Sequence, residues 1–80
     1  MLEDALDHLV SGIVDNPDDV DVRRRSGRRH DVLQVRVNPE DIGRVIGRQG
    51  RTAKALRAVI GALPGGDEVR VDVVDTDRQR

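Results

Sequence analysis

The stretch of this chain best suited to chemistry is a turn with a glycine at each end, Gly47-Arg48-Gln49-Gly50. Glycine has no Cβ, so it permits positive φ and lets another backbone approach closely. A helical pattern begins at about Arg51, so the first-turn amides of that helix are expected to be unpaired and partly positive. Arg44, Arg48 and Arg51 add charge in or beside the turn. Free amides, small residues and arginines together favour binding of a phosphodiester backbone.

Two other nucleotide-binding loops fail on spacing. A P-loop needs a glycine five positions before its Gly-Lys-Ser/Thr, but this chain has Val45 there and Arg51 in place of the lysine. A dinucleotide fingerprint needs G-x-G-x-x-G directly after a strand, whereas Val45 falls within a helical pattern. The alternative that stays open is a helix C-cap glycine followed by an ordinary tight turn.

The composition limits the class of protein. Eighty residues make one small domain, which buries only about 60% of the surface that its unfolded chain exposes. The chain has no cysteine, so disulfides and thiolate metal sites are excluded. We see no signal peptide and no apolar run of about 20 residues, so we expect a soluble cytoplasmic protein without a membrane segment. Phe, Tyr and Trp are absent, which excludes recognition of bases by stacked aromatic side chains.

No set of residues in the sequence suggests catalysis. His8 and His30 are isolated, with no carboxylate or second histidine at ligand spacing. No Ser/His/Asp set and no pair of carboxylates in a cleft can be recognised. We therefore expect no metal, no cofactor, no small-molecule substrate and no enzymatic activity.

The charges are unevenly distributed along the chain, although the net charge is only −1. Residues 1–22 contain seven acids and no arginine or lysine, residues 23–57 contain eleven bases against three acids, and residues 58–80 contain three bases against five acids. A local basic field can guide a polyanion to a nearly neutral protein, because screening over about 8–10 Å makes the nearest charges matter most. The central segment is therefore the expected site for nucleic acid.

Hydrophobic periodicity predicts three helices and three strands in the order α-β-β-α-α-β. The predicted elements are a helix over 2–14, strands over 20–25 and 32–37, a short helix to residue 46, a helix over 51–63 and a strand over 69–73. Asn38-Pro39 is a typical helix start, with a capping Asn and a proline at the first helical position. The sequence therefore indicates an α+β fold with a three-stranded sheet packed against helices.

The run Asp41-Ile42-Gly43-Arg44-Val45-Ile46-Gly47-Arg48-Gln49-Gly50-Arg51-Thr52 resembles the GXXG segment of KH domains. The element order is similar to the bacterial type II KH topology, with a mixed sheet, and the whole pattern is similar to the small single-domain KhpA-type family. The resemblance implies one type II KH domain over residues 1–75, followed by a polar tail over residues 76–80. One departure is Gln49, where many members have lysine, and this should weaken phosphate binding somewhat.

The resemblance also implies a function. KH domains hold about four nucleotides of a single strand on the GXXG loop, so the chain is expected to be a non-catalytic single-stranded RNA-binding protein. KhpA-type members are RNA chaperones or post-transcriptional regulators, and they commonly pair with a larger Jag-like protein that carries its own KH domain. The second hypothesis is a dimerisation module with incidental RNA contacts.

Placed on this fold, the expected RNA-binding residues fall into two groups. The first is on and around the GXXG loop: Arg44, Ile46, Gly47, Arg48, Gln49, Gly50, Arg51 and Lys54. The second is Arg28 and Arg29, in an arginine-rich turn between the first two strands that type II KH folds place across the groove from the GXXG loop. The alternative for this turn is an edge hairpin charged against aggregation.

The last helix has two apolar arcs at about 100° per residue. Core packing is predicted for Leu56, Val59, Ile60 and Leu63. Beside Val59, an arc of small residues is the candidate surface for a homodimer or for docking of a partner: Ala55, Ala58 and Ala62. The alternative, exposed alanines that only favour helix formation, also stays open.

Overall fold

The computed structural model describes residues 1–74 and contains three helices and three strands in the predicted order. The bounds are α1 Leu2–Ser11, β1 Asp21–Arg25, β2 Asp31–Arg36, α2 Ile42–Ile46, α3 Arg51–Ala62 and β3 Val69–Val73. Short 3-10 turns lie at Pro17–Asp19, Pro39–Asp41, Arg48–Gly50 and Gly66–Glu68. The predicted tail over residues 76–80 and the last residue of the predicted domain lie outside the described residues.

The strands form one mixed sheet in the order β1-β2-β3. β1 runs antiparallel to β2, and β2 runs parallel to β3, so that Leu33 lies opposite both Arg24 and Val71. Leu33 and Val35 are fully buried, whereas Gln34 between them is only half-buried. This alternation places one face of the sheet against the helices. The predicted α+β class with a three-stranded mixed sheet is confirmed.

The core lies between the helices and that face of the sheet. The buried residues of two helices recur every three or four positions, as one face of a helix requires: Leu2, Leu6 and Val10 in α1, and Ala53, Leu56 and Ile60 in α3. Val45 of α2 is also fully buried. Because α2 and α3 are both held by the core, the loop between them is presented from a rigid base.

Helix α1 is shorter than its apolar pattern predicts. It ends at Ser11, where the N–H of Gly12 donates to the carbonyl oxygen of His8 and the N–H of Ile13 donates to that of Val10. Val14 is nevertheless buried in the core. The apolar spacing therefore predicted residues that pack against the core and did not predict where the helix ends.

The predicted core stripe of α3 is wrong at one position. Val59 is 47% exposed, and Ala53 is buried in the same helix. Leu56 and Ile60 are buried as predicted. The helix is therefore rotated so that its core face runs through residues 53, 56 and 60, and Val59 joins the solvent-facing arc.

Candidate nucleic-acid interface

The segment Gly47–Gly50, called here the glycine loop, connects α2 to α3 through a conformation that needs glycine at its first position. Gly47 has φ 77° and ψ 171°, a region that side chains rarely adopt. A Cβ on Gly47 would also collide with the side chain of Thr52 and lie 2.7 Å from its backbone nitrogen. The first glycine is therefore required by both its backbone angles and its close approach to the start of α3.

The next residues of the glycine loop turn through the left-handed region. Gln49 has φ 58° and ψ 26°, and Gly50 has φ 75° and ψ 13°. Gln49 is the one non-glycine residue with positive φ among residues 1–74. A single non-glycine residue in this region typically costs about 1 kcal/mol. The loop thus holds a mildly strained residue at its tip, next to Arg48.

The backbone amides of the glycine loop are only partly free. The N–H of Gly50 donates to the carbonyl of Gly47 at 3.1 Å, and the N–H of Arg51 donates to the carbonyl of Arg48. No side chain caps the N-terminus of α3. The backbone amides of Gly50 and Arg51 are therefore not among the unpaired amides that the sequence predicted. The partial positive charge at the N-terminus of α3 comes from the later amides of its first turn.

The polar and charged side chains of the glycine loop and of the first turn of α3 are exposed. Arg48, Gln49, Arg51 and Lys54 all face solvent. Among the ion pairs of residues 1–74, none involves Arg48, Arg51 or Lys54. Exposed cations without a local counter-charge interact strongly with an incoming polyanion. Arg48, Arg51 and Lys54 are therefore exposed and free of ion pairs within residues 1–74, in the glycine loop and the first turn of α3.

Two further predicted residues lie on α2 directly before the glycine loop. Arg44 forms an ion pair with Asp15 at 3.2 Å, so part of its charge is already balanced. Ile46 is 38% exposed, whereas its neighbour Val45 is fully buried. Ile46 is thus an apolar side chain available at the surface beside the cations.

A buried carboxylate that the sequence analysis did not single out anchors α2. Asp41 is only 1% exposed and lies at the N-cap of α2. Its oxygens accept three hydrogen bonds, from the backbone N–H of Asp15 at 3.2 Å and from the backbone N–H and the side-chain amide of Asn16, both at 3.0 Å. These bonds join the segment after α1 to the start of α2, five residues before the glycine loop.

The surroundings of Asp41 favour its ionised form. Burial alone raises the pKa of a carboxyl group, but the hydrogen bonds from Asn16 and Asp15 and the nearby charge of Arg44 outweigh it, so the pKa of Asp41 is lowered. In the sequence Asp41 was visible only as an acid near a helix start. Its partners are about 25 positions away in the chain, so no local pattern could reveal them.

A groove between α3 and β3 begins beyond the glycine loop. It is lined by one helix residue that the sequence analysis did not assign to the site, Arg57, and by Ile60, Gly66 and residues 69–72. Nε of Arg57 donates to the carbonyl of Val71 at 3.2 Å, at the edge strand of the sheet. Arg57 lies three positions after Lys54 on the same helix, and that spacing was the available signal.

The arginine turn, residues 26–30 between β1 and β2, lies elsewhere. Asp31 pairs with Val69, so the turn is at the end of the sheet where β3 begins, just after the C-terminus of α3. The glycine loop precedes the N-terminus of this twelve-residue helix, about 18 Å away along its axis. The structure therefore does not bring Arg28 and Arg29 together with the glycine loop, and places the two regions at opposite ends of α3.

Acidic residues surround the arginine turn. Arg29 shares a small pocket with Asp31, Asp67 and Glu68. At the adjoining end of β1, Nε of Arg24 lies 2.8 Å from Asp31. The hydrogen bond to Asp31, opposed by burial and aided by nearby acids, raises the pKa of Arg24. The positive charge of this end is therefore partly neutralised.

The candidate dimer residues form a strip on the outer side of α3, called here the α3 strip: Ala55, Ala58, Val59 and Ala62. All four are exposed, and Val59 is 47% exposed. No helix within residues 1–74 is long and apolar enough to cross a membrane. In the same part of the chain, no group of three or more histidine or carboxylate side chains is placed to hold a metal ion.

Comparison with known proteins identifies the family. The family model described as KhpA/KhpB, KH domain, matches residues 3–75. The RNA-binding protein KhpA of Streptomyces coelicolor is 66% identical over 80 residues, the whole of both chains. The KhpA of Leifsonia xyli subsp. xyli is 67% identical over 75 residues, 94% of this chain and 99% of its own. No solved structure matches this chain significantly. The chain belongs to the KhpA/KhpB family of KH-domain proteins.

Proposed function

We propose that this chain is a non-catalytic, cytoplasmic protein that binds single-stranded RNA on the glycine loop. The observation that carries the proposal is the loop itself, in which Gly47 and Gly50 hold a tight turn while Arg48 and Arg51 stay exposed and free of ion pairs within residues 1–74. Relatives that cover the same length carry the name RNA-binding protein KhpA, which supports RNA as the ligand. The fold belongs to a class that holds about four nucleotides on such a loop.

In this proposal, phosphates bind near Arg48, Gln49 and Arg51, and bases lie over apolar surface beginning at Ile46. Because the chain has no aromatic residue, base stacking on side chains contributes nothing, and affinity depends mainly on phosphate contacts. Farther along α3, the groove between α3 and β3 supplies a further cation, Arg57. Such sequence-tolerant binding suits an RNA chaperone or a post-transcriptional regulator.

The test replaces the two residues at the tip of the loop. Each phosphate contact is worth about fourfold in affinity at about 0.15 M salt, given a slope near −0.7 per phosphate. Arg48→Asp with Gln49→Asp removes one positive charge and adds two negative charges, so we expect a loss of about fiftyfold or more in filter binding of single-stranded RNA. The matched control, His8→Asp, adds a carboxylate on exposed α1 and should change affinity less than about twofold.

Circular dichroism should show both variants folded, since substitutions at exposed loop positions usually change stability by within about 0.5 kcal/mol. Unchanged RNA affinity in a folded double variant would remove the glycine loop from the binding site. A parent chain that binds no RNA at low salt would refute the function altogether.

A second candidate function is a dimerisation module with incidental RNA contacts. The α3 strip favours it, because small exposed residues let a second helix approach closely and Val59 leaves apolar surface in water. The occupant would be a second copy of the chain or a larger Jag-like KH protein. Light scattering should then show a dimer for the parent chain and a folded monomer for Ala58→Glu, which adds bulk and charge without touching the core. A parent chain that is monomeric at high concentration contradicts this candidate.

A further inference from the structure

The face of the sheet turned away from the helices carries a basic surface that the glycine loop does not use. Leu33 and Val35 point into the core, so their strand neighbours and the residues paired with those neighbours point the other way. These residues define the open sheet face: Asp21, Arg23, Arg25, Val32, Gln34, Arg36, Arg70 and Asp72. No helix of residues 1–74 covers them, because the residues of α1 and α3 that pack on the sheet contact its other face.

Arginine dominates this face. It has four arginines against two aspartates, from strands β1, β2 and β3. Nε of Arg23 lies 2.8 Å from Asp21 on the same strand, and Nε of Arg25 donates to Gln34 at 3.1 Å. The charge of Arg23 is therefore partly balanced, whereas Arg25 bonds to a neutral side chain and keeps its full charge. Among residues 1–74, Arg36 and Arg70 take part in no ion pair.

The spacing of these arginines suits an extended polyanion. Arg25 and Arg70 lie on either side of Val32 in one row across the sheet, which places their Cα atoms about 10 Å apart at about 4.8 Å per strand. Guanidinium groups spread at such intervals over a sheet can contact several phosphates of one extended strand, whereas a compact anion would meet only one of them. No aromatic side chain is present for stacking, so contact here is with the backbone and not with the bases.

The open sheet face is continuous with the groove described above. The groove residues Arg57 and Ile60 lie on the helix side of β3, whereas Val32 and Arg70, which line the same depression, belong to the open face. β3 is the edge strand, so nothing in the described sheet lies beyond it. An RNA strand that extends from the glycine loop along α3 would therefore reach the groove, and from the groove it could pass over the edge strand β3 to the open sheet face.

We propose that the open sheet face is a second RNA-binding surface, which holds the phosphate backbone of RNA beyond the nucleotides on the glycine loop. This proposal rests on the proposed function. It implies that affinity grows with RNA length beyond the four nucleotides typical of a KH groove. It also implies that the added affinity is electrostatic and insensitive to sequence.

The test compares two RNAs on variants of β1 and β2, the strands farther from the groove. Arg25→Gln with Arg36→Gln should weaken binding of a single strand of about fifteen nucleotides by about tenfold, on the scale of two phosphate contacts. The same variant should bind a strand of about five nucleotides within about twofold of the parent, since that length fills only the loop site. The salt slope for the longer RNA should become shallower by about 1.4.

A second variant, expected to strengthen binding, separates a loss of RNA contacts from a loss of folded protein. Asp21→Asn removes an acid from the same face, so it should strengthen binding of the longer RNA by about twofold to fourfold and leave the shorter one unchanged. If parent and variants bind the longer RNA with equal affinity, the proposal is wrong, and the open sheet face would be a candidate surface for a protein partner. Equal losses for both lengths overturn it too. A parent that binds neither RNA refutes the proposed function instead, so the two failures are distinguishable.

Discussion

The glycine loop with its neighbour Arg51 and the arginine turn both combine glycine with two exposed arginines, but the two regions have different surroundings. The cations of the glycine loop take part in no ion pair within residues 1–74, apart from Arg44 at its edge. The arginine turn lies beside Asp31, at the start of β2, and beside Asp67 and Glu68, which directly precede β3. Two clusters that look alike in sequence therefore differ in local field, and a run of arginines is not by itself a binding surface.

The largest expected difference between the two regions comes from matched glycine substitutions. A Cβ on Gly47 meets the backbone and side chain of Thr52 at positive φ, and a Cβ on Gly27 meets the backbone carbonyl of His30. Both Gly47→Ala and Gly27→Ala should destabilise their turns by about 1–3 kcal/mol. Only Gly47→Ala should weaken RNA binding by more than about tenfold, because only it moves the loop cations. Filter binding alongside thermal unfolding measures both effects.

An equal loss of RNA affinity in the two folded glycine variants would contradict the distinction between the regions. It would mean that the arginine turn takes part in binding as strongly as the glycine loop.

The next effect concerns stability and its dependence on pH. Asp41→Asn removes a charge that accepts three hydrogen bonds at the base of the glycine loop, and we expect the melting temperature at neutral pH to fall by about 8 °C or more. The control Asp67→Asn, at the exposed arginine end, should change it by less than about 3 °C.

The sign of the pH effect follows from the lowered pKa of Asp41. The stabilisation is fully present above the pKa of an unfolded aspartate, about 3.9, and is lost as the pH falls through the lower folded pKa. The gap in melting temperature between parent and Asp41→Asn should therefore shrink on acidification below about pH 4. A gap that is constant with pH would show that the carboxylate charge is not what holds α2.

A single added charge gives a smaller test of the comparison. Gln49→Lys places an ammonium at the tip of the glycine loop and should raise RNA affinity about threefold. Ser26→Lys places the same group in the arginine turn, where Asp67 and Glu68 are near, and should raise it less than about 1.5-fold. Fluorescence anisotropy with a labelled short RNA resolves such differences, and a larger gain from Ser26→Lys would reverse the assignment.

The smallest expected effect comes from removing the acids beside the turn. Asp67→Asn with Glu68→Gln leaves Arg29 less neutralised, so affinity for a long RNA should rise about twofold, with a steeper salt slope. Arg28→Ser with Arg29→Ser in the parent should then change the slope by less than the 0.7 per phosphate of a fully engaged contact. If the salt slope became shallower by about 0.7 or more, the arginine turn would contact RNA phosphates as the sequence predicted.

Local patterns in the sequence were enough to predict the glycine loop, the element order and most of the core. Each of these depends on neighbours in the chain: glycines three apart between two helical patterns, alternation in β2 and β3, and apolar residues at helical spacing in α1. Such local patterns predict an element whatever the way in which the elements later pack against one another. The family resemblance, carried by the run from Asp41 to Thr52, is confirmed for the same reason.

Contacts between segments that are distant in the chain could not be predicted in this way and became visible only in the folded structure. Asp41 became an anchor because Asp15 and Asn16 fold back to it, and Val59 became exposed because the buried face of α3 runs through Ala53, Leu56 and Ile60. The arginine turn acquired acidic neighbours because β2 and β3 pair in parallel and begin at the same end. Burial and local field are sums over neighbours in space, and those neighbours are set by packing and not by order along the chain.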